Sequence, residues 1–154
     1  MAPTQWAETE RLQVRVVIAE GMSIEGDLHL QPSTALHETR ETPLELLNRE
    51  DRFFSLTVAG GSVVFLAKAQ VAVLAYQGPA SNDPDRESAA LHIGLEVIMI
   101  GGDEYRGFAA TELPPNRSRA SDYLNAPETF FSLVVGETTV CLNRSYVRAA
   151  RPLS

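Results

Sequence analysis

Phe53-Phe54-Ser55-Leu56 recurs as Phe130-Phe131-Ser132-Leu133, and each run follows a Leu-Asn pair at the same distance, Leu47-Asn48 in the first case and Leu124-Asn125 in the second. The match continues without a gap to Val58 and Val135. Dropping one residue where Ala59-Gly60-Gly61 meets the shorter Gly136-Glu137 then sets Val64, Leu66 and Val71 on Val140, Leu142 and Val147. Upstream, Gly21 and Gly26 fall on Gly102 and Gly107, and Val16 on Val97, once the first copy's loop is allowed a few extra residues. The length changes sit where loops are expected, and surface connections tolerate insertion where packed elements do not. The period is too long for a solenoid unit and suits a small domain copied once.

Each copy reads as strand, strand, helix, strand, strand, strand. Leu12, Val14, Val16 and Ile18 alternate with Gln13 and Arg15, the period of a half-buried strand. Glu20-Gly21 turns the chain into a second alternating run, Ile24, Gly26, Leu28 and Leu30, so a hairpin is expected. Thr42-Pro43-Leu44-Glu45 supplies a cap, a proline at the first helical position and an acid in the first turn, which starts a short helix ending near Asn48. Strands are expected over 53–59, 62–68 and 71–76, the last two joined by a tight link at Ala69-Gln70. The second copy gives strands over 92–100 and 105–110, a helix capped by Ser121, and strands over 130–135, 138–143 and 146–150. The expected organisation is a polar lead-in over 1–11, a first unit over 12–76, a turn-rich acidic linker over 77–90 and a second unit over 91–154.

Bulk composition narrows the function. Twenty acidic against thirteen basic residues give a net charge of −7, which disfavours a phosphate backbone as partner. The single Cys141 cannot form an internal disulfide and fits a reducing compartment. The first ten residues carry neither a basic nor an apolar leader segment, and no apolar run is long enough to cross a bilayer, so a cytoplasmic protein without membrane insertion is expected.

The repeated residues are explained by structure alone. Phe53, Phe54, Leu56, Phe130, Phe131 and Leu133 read as the repeated core, with one ring of each Phe-Phe pair entering its own unit and the other facing the helix or the other copy. Asn48 and Asn125 suit helix ends. Gly26 and Gly107 lie inside strands, where glycine marks a bulge or sharp bend. His29, His37 and His92 have no metal-ligand spacing, and Cys141 lies in an apolar strand without a basic neighbour. Asn82-Asp83-Pro84-Asp85 lacks the spacing and turn glycine of a calcium loop. Nucleophile-elbow, phosphate-loop and dinucleotide fingerprints are absent. Neither catalysis nor a cofactor nor a metal is expected.

Gly21 and Gly26 followed by Phe65-Leu66-Ala67-Lys68-Ala69-Gln70-Val71, and Gly102 and Gly107 followed by Cys141-Leu142-Asn143-Arg144-Ser145-Tyr146-Val147, resemble the strand-and-basic-turn pattern of Sm-like, SH3-type small barrels. Two departures stand out: neither basic turn has the glycine of the Sm pattern, and a helix sits between the second and third strands. Asp122-Tyr123-Leu124-Asn125 is also similar to a bacterial domain family of unknown function. The resemblance implies a mainly β fold of two tandem five-stranded small barrels, each with one short helix between strands 2 and 3. Small barrels leave open edges, so the expected role is a non-catalytic assembly or adaptor protein binding a protein partner, or further copies of itself, through strand edges. The alternative the resemblance implies is RNA binding through the basic turns Lys68 and Arg144, with Arg117 and Arg119 adding charge.

Overall fold

Alternating apolar residues near the start of the chain form β1 (Glu10–Ile18) and β2 (Ser23–Leu30) in a computed structural model that describes residues 10–32, 40–80, 91–111 and 120–153. The hairpin between them turns through Glu20 and Gly21, both at positive φ. Helix α1 (Pro43–Asn48) begins at a complete capping box. The Glu45 N–H donates to Thr42 Oγ1 at 3.1 Å and the Thr42 N–H to Glu45 Oε1 at 2.9 Å, satisfying two of the orphan donors of a helix start. Strands β3 (Phe53–Thr57) and β4 (Val63–Ala67) follow, then a 3-10 turn (Lys68–Gln70) and β5 (Val71–Gln77).

The second unit repeats this order. It runs β6 (Leu91–Met99), β7 (Glu104–Thr111), helix α2 (Ala120–Leu124), β8 (Phe130–Val135), β9 (Thr138–Asn143), a 3-10 turn (Arg144–Tyr146) and β10 (Val147–Pro152). Ser121 lies inside α2 and not at its cap, so the expected helix start is displaced. The lead-in over 1–9, most of the linker and the loops carrying His37, Arg117 and Arg119 lie outside the described residues.

The fold is mainly β, and its pairing is antiparallel throughout. The ten strands form one sheet in the order β10-β6-β7-β8-β9-β5-β1-β2-β3-β4. Within it, β5-β1-β2-β3-β4 recurs as β10-β6-β7-β8-β9, and the two runs meet where β5 pairs with β9. The sheet is continuous and not closed, with β4 and β10 at its ends. Closure into two five-stranded barrels is thus no part of the ladder; β5 gives its outer edge to the other unit.

Gly26 and Gly107 occupy the same bend in the two runs. A Cβ on Gly26 would lie 2.8 Å from the Thr57 carbonyl oxygen, and one on Gly107 only 2.3 Å from that of Val134. Only a residue without Cβ admits this approach of the crossing strand.

Two apolar clusters fill the molecule, and they do not respect the sequence boundary between units. The first holds Val14, Val16, Leu28, Leu47, Leu56 and Leu74 together with Phe130 and Cys141 from the second unit. The second holds Leu95, Val97, Phe131, Leu133 and Leu142 together with Ala72 and Val73 from the first. Phe54 and Leu56 are core as expected, but Phe53 is 56% exposed, a correction to its place in the repeated core. It stands on the outermost hairpin, where no neighbouring unit covers it.

Candidate functional site

The feature that organises the surface is the junction of β5 and β9. Its register sets Val73 opposite Leu142, Leu74 opposite Cys141 and Tyr76 opposite Thr139. Side chains from the second unit stitch its ends to carbonyls on the first unit's side. Asn143 Nδ2 donates to the Val71 carbonyl at 2.9 Å, Tyr146 Oη to that of Ala69 at 2.7 Å, and Thr139 Oγ1 to that of Gly78 at 2.6 Å.

Asn48 closes the junction from the helix side. Because the Arg144 N–H donates to Thr129 O, the alternation of an antiparallel ladder turns the N–H and C=O of Phe130 away from β9. The Asn48 amide takes both: Phe130 N–H donates to Oδ1 at 2.9 Å, and Nδ2 donates to Phe130 O at 3.1 Å. The helix-end role expected from sequence is therefore a clasp between units. Asn125, its counterpart, is exposed, and its Nδ2 donates within its own helix to Ser121 O at 2.8 Å.

The two basic turns have a different task. Lys68 is buried, and its Nζ donates to the carbonyls of Leu46 at 2.8 Å and Arg49 at 3.1 Å, the C-terminal end of α1. Arg144 does the same for α2, its guanidinium donating to the carbonyls of Tyr123, Leu124, Glu128 and Phe130. The guanidinium also lies 4.9 Å from the centre of the Phe131 ring and 5.8 Å from that of Tyr123. Helix C-termini leave unpaired carbonyls and a partial negative charge, and a cation from the following strand pair satisfies both. Desolvation depresses the pKa of both cations. Charges engaged in this way are not presented to a nucleotide.

Among the described residues the remaining sequence candidates show no convergent chemistry. Burial pushes the Cys141 thiol up to about 12, leaving no thiolate near neutral pH. His29 is half-buried, and its Nε2 is hydrogen-bonded to Thr57 Oγ1 at 2.7 Å. A shallow depression beside β10 contains the Glu96 carboxylate, already paired with Arg106 at 3.0 Å and Arg151 at 2.7 Å. Among the described residues no cluster of three or more His, Cys, Asp or Glu could hold a metal ion, and no helix is long and apolar enough to cross a membrane.

What sequence reasoning missed is the contrast between the two ends of the repeat. Phe53, Val63 and Phe65 share one face of the β3–β4 hairpin and are 56%, 50% and 70% exposed. Their counterparts Phe130, Thr139 and Cys141 are at most 1% exposed, covered by the first unit. The β10 edge at the other end presents Arg148, Ala149, Arg151 and Pro152. The signal available in sequence was the pairing of Phe65 with Cys141, a bulky apolar residue where the covered strand carries a small one. No family model, curated protein or solved structure matches this chain.

Proposed function

We propose that the chain is a duplicated Sm-like unit acting as a non-catalytic assembly or adaptor protein, which binds protein through its strand edges. The observation that carries this reading is the apolar face of the β3–β4 hairpin: its positions are covered in the second unit and open in the first. A row of unpaired strand groups flanked by exposed aromatic residues is a template for strand addition. The internal β5–β9 contact supports the reading because it is itself edge-to-edge recognition between the two units.

A photo-crosslinking residue placed at Phe65, with a control at exposed Glu25 on β2, tests this in cells that express the protein. Protein adducts at position 65 and none at 25 are expected. Their absence, or adducts with nucleic acid in their place, would overturn the reading.

A further inference from the structure

The junction between the units is heterologous: each unit uses one side of itself and keeps the other. The first unit gives the Asn48 amide, the β5 edge and its apolar cluster. The second gives the Phe130 backbone and ring, the β9 edge and Cys141. Because both units have the same strand order, the second unit retains Asn125 and the β10 edge, and the first retains Phe53 and the β4 edge. These two sets lie at opposite ends of one sheet. We infer that the chain associates head to tail with a second copy of itself. The β10 edge of one molecule pairs with β4 of the next in the register of β5 on β9, and the Asn125 amide grips the Phe53 backbone. The inference deepens the proposed edge-binding role and rests on it.

The backbone geometry at Phe53 matches that at Phe130. Lys68 N–H donates to Arg52 O as Arg144 N–H does to Thr129 O, so the N–H and C=O of Phe53 also turn away from the neighbouring strand. Pairing of β2 with β3 ends at Leu28 and Leu56, and no described residue takes these two groups. Receiving side chains are present too. Leu47, which lies in the cluster with Phe130, is buried, whereas its counterpart Leu124 is only half-buried and open to a ring such as Phe53.

Side-chain sizes agree. Inside the molecule the large Leu74 faces the small Cys141. The same register between molecules sets the small Ala150 against the large Phe65, filling similar space in reverse order. Pro152 stands where β5 has Tyr76 and brings no N–H, so the outer ladder lacks a bond that the inner one can make. Association is consequently weaker than the internal junction and depends on concentration. Exposed arginine and proline on β10 oppose indiscriminate pairing and leave the matched edge as the preferred one. A repeated heterologous contact closes into a ring or continues as a filament.

The test uses the purified full chain. Light scattering is expected to show a mass that rises with concentration in multiples of 16.8 kDa. Phe65→Asp and Asn125→Ala alter exposed residues, so circular dichroism, and melting at concentrations too low for association, should match the unaltered protein. Phe65→Asp is expected to shift the association midpoint upward by more than about tenfold, and Asn125→Ala by a smaller factor. Direction is read by disulfide trapping, since directly paired positions lie within bonding reach. A mixture of Phe65→Cys and Ala150→Cys proteins should give the linked dimer, and neither alone should. Dimers from Phe65→Cys alone would mean like-edge pairing and overturn the proposal, as would a monomer at every concentration. A monomer whose position 65 still crosslinks to other proteins in cells would remove self-association and leave the edge-binding role standing; loss of both would remove both.

Discussion

Asn48 and Asn125 end equivalent helices, yet only Asn48 reaches the other unit, holding the N–H and C=O of Phe130 at 2.9 and 3.1 Å. Asn48→Ala leaves the Phe130 N–H at a packed junction without a partner and its carbonyl with only the 3.4 Å bond from Arg144, which costs about 1–3 kcal/mol of unfolding free energy in urea titration. Asn125→Ala, at an exposed position, should stay within about 0.5 kcal/mol for the isolated molecule. Equal losses would mean that the clasp carries no stability. His29 gives a pH signature. Burial first, and Arg11 second, lower its pKa from 6.5, against an opposing pull from Asp27. Between the lowered value and 6.5 the unfolded chain binds more protons than the folded one, so stability rises with pH across that window. Lowering the pH from about 7 to about 5 is expected to reduce the urea midpoint, with a shallower slope in His29→Asn. An unchanged slope would assign the pH dependence to other groups.

Among the elements, helix starts and helix ends differ in where their determinants lie. Thr42, Pro43 and Glu45 announce the start of α1 within four residues, and the capping box forms as the spacing predicts. Its end is satisfied by Lys68, from a turn on the far side of two strands, so local spacing could not reveal it. The repeat did hold a clue, because Lys68 and Arg144 are matched bases following matched helices; the resemblance assigned them to RNA, and the structure sets them on carbonyls. Strands were legible from their alternation, whereas the β5–β9 pairing was not, since it joins segments more than sixty residues apart. Identical Phe-Phe-Ser-Leu runs gave identical expectations, and only their places in the sheet distinguish exposed Phe53 from buried Phe130. Lys68→Met would keep the apolar stem and remove the Nζ donor from the carbonyls of Arg49 and of Leu46, the latter keeping only the Arg49 N–H at 3.3 Å, for a loss of about 1–3 kcal/mol. Gly107→Ala should cost at least as much, because its Cβ would meet the Val134 carbonyl at 2.3 Å, nearer than the 2.8 Å at Gly26. A larger loss at Gly26 than at Gly107 would contradict this geometry.

At the scale of the whole molecule, two units that exchange core residues cannot unfold independently. Phe130 belongs to the second unit by sequence and to the first cluster by packing, while Ala72 and Val73 make the reverse exchange. A unit of about 60 residues buries only about 60% of the surface its unfolded chain exposes and is marginal alone, so each half gains stability from the side chains it receives. Sharing one sheet and two interleaved clusters, the halves should melt together. Calorimetry of a Phe65→Asp protein, which removes any contribution from association, is expected to give one transition whose calorimetric and van't Hoff enthalpies agree. Phe130→Ala supplies the sharper reading. Removing this ring opens a cavity in the first cluster, costing about 3–5 kcal/mol, and should lower the melting temperature by about 2–4 °C for each kcal/mol while the transition stays single. Two separated transitions, with only the lower one moved by Phe130→Ala, would show that the halves fold as independent domains and that the β5–β9 junction is a contact between finished units.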